Sequence, residues 1–272
     1  MTDKINISLP ISLLETRDKI DAIDSEIHQL LMRRADLVQN VQKAKEAEGP
    51  IVNAMHADRE IEMFRRFSAN HSGCLPLASL QRMFREMIAT FSHLQCPFKV
   101  FVLKGEALHR DTARYFYGTV IEIVECENVA SLLSQVQAPT SDIVLLPASA
   151  QALDEFAKIT QQGCQIFARL PFWDDGAAYG LELPDMFVIG HAPLKTVGND
   201  YTVFKANKGA DIVLPLLENA GYELMSYYEH AGNIYCVIKA FAIVEGDSWR
   251  SLKNSLAQKD IVVDFLGIYG KV

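Results

Sequence analysis

The stretch LLETRDKIDAIDSEIHQLLMRRADLVQNVQKAK, residues 13–45, decides the fold of the N-terminal part of the chain. Its apolar residues recur every three or four positions, which is the period of one face of an α-helix. The pattern predicts one long helix from about Ile11 to Glu48, ended by the breaker Gly49-Pro50. Such a helix exposes more apolar surface than two short helices can cover, so we expect a second copy of the chain to bury the rest.

Cations interrupt this apolar face. Arg34 and Lys45 are eleven positions apart and therefore share a face with Val38 and Val41. A cation on a largely apolar face is unfavourable unless an anion pairs with it, so the pattern indicates an anionic ligand. Arg17 is rotated by about a quarter turn from this pair, and we expect it to serve a different pocket or another subunit.

Two shorter helices follow, which complete an all-α unit over residues 1–96. The first is predicted from Asp58 to Phe67, and the second begins after Pro76 and continues to Gln95. No strand pattern interrupts them. The unit is therefore predicted to consist of three helices of very unequal length.

From residue 97 the pattern changes to short β-branched runs that alternate with helical stretches. The runs FKVFVL, VIEIVE and DIVLLP are separated by predicted helices at Leu108–Tyr117 and Asn128–Gln135, which favours an α/β region over residues 97–196. A stretch rich in loop residues covers Pro171 to Pro184. Residues 197–272 then give the order βαββαβ, which is a ferredoxin-like plan. The predicted fold class is multidomain: an all-α domain, an α/β lobe and an α+β ferredoxin-like domain.

Composition excludes several classes of function. The net charge of −8 without a basic block argues against nonspecific nucleic-acid binding. No apolar run is long enough to span a bilayer and the N-terminus has no apolar signal core, so we expect no membrane association and a cytoplasmic location. Five widely spaced cysteines without CxxC suggest neither a disulfide framework nor a zinc site. Asp174-Asp175 is interpreted as a solvated loop rather than a metal site.

The N-terminal unit resembles the all-helical chorismate mutases, which are intertwined helical dimers. The matching segments are residues 13–45, the later ADRE at 57–60 and MFREMIATFSHLQ at 83–95. The resemblance implies that chorismate is converted to prephenate, on the route to phenylalanine and tyrosine, without a cofactor or metal. This pericyclic rearrangement needs only a compact conformation of a dianion and donors near the ether oxygen whose C–O bond breaks.

The resemblance also implies a role for each matching residue. It places Arg34 and Arg59 on the two substrate carboxylates. Lys45 and Gln95 face the ether oxygen, and Glu60 accepts a hydrogen bond from the ring hydroxyl. Arg17 reaches into the site of the partner subunit. Arginine suits the carboxylates because its guanidinium forms bidentate, charge-assisted hydrogen bonds.

Three features depart from the family pattern or leave an alternative open. Arg33 would exchange roles with Arg34 if the register of the helix were shifted by one residue. The loop VNAMHA before Arg59 is about two residues longer than usual and places His56 where the family often has a short acidic residue. Phe91, one turn before Gln95, stands where the family has a small or hydroxyl-bearing residue, and it either narrows the pocket or belongs to the core.

The C-terminal region resembles prephenate dehydratase and its ACT regulatory domain, through residues 100–118 and 142–149. The Thr-Arg-Phe motif of the dehydratase site corresponds to Thr202-Val203-Phe204, which we interpret instead as the first strand of the βαββαβ unit. The resemblance thus implies a dehydratase-like region without that activity. The ACT motifs that bind phenylalanine align with residues 209–211 and 228–231, but the residue types here are different. The alternative to phenylalanine binding is a structural, dimer-forming role for this unit.

The sequence therefore predicts a chorismate mutase with a dehydratase-like and ACT-like extension. One alternative is a bifunctional enzyme that also dehydrates prephenate, against which Val203 argues. The other is a noncatalytic sensor, in which the helical pocket binds an aromatic-pathway metabolite and the C-terminal region reports it.

Overall fold

The computed structural model of the protein describes residues 12–48, 53, 55–160, 163–172, 182–244, 246–257 and 259–272. Contacts divide the chain into two compact units, Met1–Pro50 and Ile51–Val272. The helices are α1 Leu13–Glu48, α2 Ala57–Asn70, α3 Leu77–Gln95, α4 Ala107–Tyr117, α5 Val129–Leu133, α6 Ala150–Ala157, α7 Ala210–Asn219 and α8 Asp247–Ala257. The strands are β1 Val100–Leu103, β2 Ile123–Cys126, β3 Ile143–Pro147, β4 Gln165–Leu170, β5 Met186–Gly190, β6 Asp200–Ala206, β7 Leu224–His230, β8 Asn233–Lys239 and β9 Val263–Gly270.

The first unit consists of α1, a single helix of 36 residues as predicted. It begins after Ser12 because that side chain accepts a hydrogen bond from Glu15 N at 3.1 Å, while the Glu15 carboxylate accepts one from Ser12 N at 3.1 Å. Its large apolar side chains are 40 to 69% exposed, namely Leu13, Leu14, Ile20, Ile23, Ile27, Leu30, Leu31, Met32, Leu37 and Val41. The apolar stripe is therefore uncovered in a single chain. Gly49-Pro50, the predicted breaker, lies outside the described residues.

The other two predicted helices, α2 and α3, pack in the second unit together with the sheet. Arg65 of α2 donates hydrogen bonds to the carbonyl oxygens of Val197 and Lys271. Glu86 of α3 accepts a hydrogen bond from Thr119 N at 3.0 Å. The domain boundaries at residues 96 and 196 stay a prediction, since they divide the chain by sequence resemblance rather than by contacts.

The nine strands that the structure describes form one mixed sheet, in the order β2-β1-β3-β5-β4-β9-β6-β8-β7. β1 is parallel to β2 and β3, whereas β5 is antiparallel to both β3 and β4. The last four strands carry the predicted βαββαβ order, with α7 between β6 and β7 and α8 between β8 and β9. That prediction is confirmed. The two halves of the sheet meet where β4 pairs with β9 through Ile166 and Gly267.

Two polar clusters fasten the last four strands to the preceding lobe. The Arg169 guanidinium on β4 donates to Tyr269 Oη at 2.9 Å and binds the Asp185 carboxylate through two nitrogens at 2.6 and 3.2 Å. The buried Tyr235 hydroxyl on β8 donates to the Asp154 carboxylate on α6. The ferredoxin-like strands are therefore attached to the lobe in two ways: their edge strand β9 pairs with β4, and α6 packs on β7, β8 and β9.

Candidate active site

The predicted site residues are distributed over the two units. Arg17, Arg34 and Lys45 lie on α1 of the first unit, and Arg59, Glu60 and Gln95 lie on α2 and α3 of the second. α2 and α3 pack against each other, with the rings of Phe67 and Phe84 in edge contact at 4.5 Å between centroids. The second unit thus holds half of the predicted set on two adjacent helices.

On α1, the spacing along the axis separates the cations into two groups. Arg34 and Lys45 are eleven residues apart, or about 16 Å along the helix axis. Arg17 lies seventeen residues before Arg34, or about 25 Å away, which is too far for both to hold one small dianion. Arg34 is half-buried and both Arg17 and Arg33 are exposed. The side chain of Lys45 lies outside the described residues.

On α2, neighbouring residues face in different directions. Arg59 is exposed to solvent, while Glu60 is only 9% exposed and faces inward with Ile61 and Phe64. The Glu60 carboxylate accepts a hydrogen bond from the guanidinium of Arg85 on α3 through one oxygen, Oε2. A carboxylate has two oxygens and about four acceptor positions, so Oε1 retains the capacity to accept from a ligand.

Sequence reasoning missed Arg85, which is 2% exposed. Its Nε donates to the carbonyl oxygen of Phe116 at 2.9 Å. Its guanidinium carbon lies 5.0, 5.3 and 5.9 Å from the ring centroids of Phe172, Tyr117 and Phe116, which is within the range of cation–π attraction. Burial is the main cause that raises the pKa of the Tyr117 hydroxyl above its ordinary value, so the ring remains neutral beside the ion pair.

Gln95 is the last residue of α3 and is half-buried. Its side-chain nitrogen donates to the carbonyl oxygen of Phe91, one turn earlier, at 3.3 Å. An amide carries two N–H donors, so this contact leaves one for a ligand oxygen. Phe91 itself is 9% exposed, which favours its interpretation as a core residue.

The segment that corresponds to the dehydratase motif is part of the core. Thr202, Val203 and Phe204 lie in β6, and each is 0% exposed. The Thr202 hydroxyl donates to Ala240 O at 2.7 Å and accepts from Ala242 N at 3.1 Å. The preferred assignment of this segment, as the first strand of the βαββαβ unit, is confirmed.

Residues 209–211 and 228–231, the predicted counterparts of the ACT motifs, contact each other directly. Glu229 on β7 accepts a hydrogen bond from Ala210 N at the start of α7, at 2.8 Å. The N-terminus of a helix favours an anion because its first N–H groups have no partner within the helix. In this chain a carboxylate of the protein itself occupies that position.

The described residues contain neither a metal site nor a membrane-spanning helix. Among the described residues no group of three or more His, Cys, Asp or Glu side chains could hold a metal ion. Asp174-Asp175 falls outside that part of the chain. In the described helices no segment is long and apolar enough to cross a membrane.

Comparison with protein families assigns the N-terminal helices. Residues 16–96 match the model of the family described as chorismate mutase type II. The predicted resemblance of this segment is thereby confirmed. The match includes all six predicted site residues and Arg85.

Two curated relatives match about half of this chain, and both are longer than it. The bifunctional chorismate mutase/prephenate dehydratase of Aquifex aeolicus (strain VF5) is 27% identical over 138 residues, which cover 50% of this chain and 38% of the relative. The protein of the same name from Neisseria gonorrhoeae (strain ATCC 700825 / FA 1090) is 26% identical over 161 residues, covering 56% of this chain and 43% of the relative. The chain thus spans about two fifths of each relative. Both alignments are longer than residues 1–96, so part of each lies in the sheet region.

Solved structures similar to this chain include two prephenate dehydratases. The enzyme from Streptococcus mutans is 13% identical with a TM-score of 0.43, covering 64% of this chain and 99% of that one. The enzyme from Arthrobacter aurescens in complex with L-Phe is 12% identical with a TM-score of 0.46, covering 64% of this chain and 90% of that one.

Proposed function

We propose that this protein is a chorismate mutase, which converts chorismate to prephenate in the cytoplasm without a cofactor. The observation that carries the proposal is the match of residues 16–96 to the type II chorismate mutase family. The half-buried position of Arg34, beside an exposed Arg33, supports the chosen register of α1. The names of both curated relatives include the same activity.

In the proposed mechanism the protein holds the substrate and stabilises the breaking C–O bond. Arg34 and Arg59 bind the two carboxylates, which fixes the compact conformation that the rearrangement requires. Lys45 and Gln95 donate hydrogen bonds to the ether oxygen as negative charge develops on it. Glu60 accepts the hydrogen bond of the ring hydroxyl. A millionfold acceleration corresponds to about 8 kcal/mol, which positioning and preorganised donors can supply together.

The proposal includes a homodimer. The distance of about 25 Å along α1 prevents Arg17 from joining Arg34 on one ligand, so Arg17 is proposed to serve the partner's site. The exposed apolar stripe of α1 supports this, because a second copy would remove that surface from water. Dimerisation and catalysis are then linked.

The test is the loss of chorismate absorbance with purified full-length protein. Arg34→Ala removes a charged, bidentate partner, and we expect kcat/KM to fall by roughly 10²- to 10⁴-fold with the fold retained. Arg33→Ala is the matched control, since it removes the adjacent and more exposed arginine. Full activity of Arg34→Ala would contradict the assignment, and loss of activity in Arg33→Ala alone would shift the register by one residue.

A bifunctional enzyme is the second candidate, because both curated relatives are named for a dehydratase activity as well. The observation against it is that Thr202-Val203-Phe204, the segment nearest in sequence to the dehydratase motif, lies buried in the first strand of the βαββαβ unit, where backbone groups occupy the Thr202 hydroxyl. We therefore propose that the sheet region does not dehydrate prephenate. Phenylpyruvate formed from prephenate at neutral pH faster than in buffer would contradict this.

The sensor alternative predicts binding without turnover. Titration calorimetry with chorismate, run beside the absorbance assay, separates it from the enzyme. The contact between Glu229 and Ala210 N bears on regulation, since this carboxylate already occupies the helix N-terminus between the segments that correspond to the ACT motifs. We accordingly expect phenylalanine to leave the mutase rate unchanged.

A further inference from the structure

Glu60, the proposed acceptor for the ring hydroxyl, is held by a buried ion pair. Glu60 is 9% and Arg85 is 2% exposed, and their side chains are joined by a hydrogen bond between α2 and α3. A buried carboxylate without a partner is strongly unfavourable, so the direction in which Glu60 points depends on where Arg85 is fixed.

Arg85 is fixed by the sheet region rather than by the three N-terminal helices alone. Its Nε donates to Phe116 O at 2.9 Å, at the end of α4. Its guanidinium lies 5.3 Å from the Tyr117 ring centroid and 5.0 Å from that of Phe172, which follows β4. The planar guanidinium donates in several directions at once, so it can serve Glu60 and Phe116 together. A lysine in its place would have the charge but not this fixed geometry.

We propose that Arg85 is the positioning residue for Glu60 and that the sheet region orders the mutase site through it. This inference rests on the proposed chorismate mutase function. Arg85 binds Oε2 and directs Oε1 towards the ring hydroxyl of the substrate. The C-terminal region then has a role in the mutase reaction that requires no activity or effector of its own.

The experiment measures kcat and KM for chorismate in full-length variants, at a temperature at which circular dichroism shows each to be folded. Arg85→Met should lower kcat/KM by about 10- to 100-fold, since a misplacement of about 1 Å has effects of that size. Arg85→Lys, which keeps the charge, should recover part of the loss. The matched control is Arg82→Met, because Arg82 lies on the same helix and its guanidinium stands over the Tyr115 ring at 5.1 Å. It should change kcat/KM by less than about twofold.

A double-mutant comparison separates positioning from folding. If Arg85 acts through Glu60, the substitution Arg85→Met should change kcat/KM by less than about threefold in a Glu60→Gln background. This double variant removes both buried charges, so it is expected to fold even if Arg85→Met alone does not. Independent, multiplicative losses would overturn the inference. So would an Arg85→Met protein with a lowered melting temperature and wild-type kinetics.

The two proposals fail in different ways. A wild-type protein that does not consume chorismate would refute the proposed function, and the role of Arg85 with it. A wild-type protein that is active, together with an equally active Arg85→Met variant, would refute only the role of Arg85.

Discussion

Replacing Gly267 by alanine is expected to weaken the joint between the two halves of the sheet. Gly267 has φ +150° and pairs with Ile166 of β4. An added Cβ would lie 2.1 Å from the Ile166 carbonyl oxygen and 2.5 Å from its nitrogen. Because both are backbone atoms, no side-chain rotation relieves the contact, and β4 must move away from β9.

The expected loss of stability follows from two contributions. A non-glycine residue in this backbone region costs about 1–3 kcal/mol. Separation of the strands weakens buried backbone hydrogen bonds, at about 1–3 kcal/mol for a group left unpaired. Together they lower the free energy of unfolding by roughly 2–6 kcal/mol, which is about 4–24 °C in melting temperature at 2–4 °C per kcal/mol.

Thermal and urea unfolding followed by circular dichroism measures this loss. Gly232→Ala is the matched control, because Gly232 also has a positive φ, of 77°, yet an added Cβ meets no atom of the described chain within 4 Å. It should lose only the backbone contribution, about 1–2 kcal/mol. If Gly267→Ala were no more destabilising than Gly232→Ala, β4 and β9 could not approach as closely as described.

Three further predictions concern other parts of the chain. The hydrogen bond from Tyr235 is the main cause that lowers the pKa of the Asp154 carboxyl. The ionised carboxylate therefore stabilises the fold above about pH 4, and this stabilisation is lost as the pH falls further. Asp154→Asn should lower the free energy of unfolding by about 1–3 kcal/mol at pH 7, and its unfolding curve should approach that of the wild type in acid. Burial raises the pKa of the Cys236 thiol to about 12, so in a thiol titration it should react only after unfolding, whereas the exposed Cys74 reacts at once. If α1 forms the proposed dimer interface, Ile27→Glu on its apolar stripe should give a monomer in sedimentation velocity and lose mutase activity in the absorbance assay.

Periodicity predicted the elements whose neighbours are close in sequence. The helix α1 was predicted because its apolar pattern extends over ten turns, and the βαββαβ order because each of its strands is bounded by clear turn residues. By contrast, α6, β4 and β5 were missed. The strand β5 is MFVIG, five buried residues without alternation, and such a run does not distinguish a strand from a buried helical segment. Its antiparallel pairing with both β3 and β4 is a nonlocal property.

Among the site residues, too, local spacing could be predicted from the sequence, whereas contacts with distant segments could not. Because eleven positions return to the same helical face, the sequence alone predicts that Arg34 and Lys45 share a face, and their role in a site stays a prediction. The environment of Arg85 could not be predicted, because an arginine within a helix is most often a solvated charge and the groups around this one come from distant segments. Glu60 precedes it by 25 residues, and Phe172 follows it by 87. The signal in the sequence, an arginine within the apolar run MFREMI, identifies no partner.

Contacts separate α1 from α2 and α3, although all three helices belong to the segment that matches the mutase family. α1 forms a unit of its own with an exposed apolar stripe, whereas α2 and α3 are held to the sheet region by Arg65 and Arg85. Excision of the three helices at residue 96 would therefore remove the groups that fix Arg85, while leaving every predicted site residue in place. If Arg85 positions Glu60 as proposed, the excised helices should have a lower kcat/KM for chorismate than the whole chain.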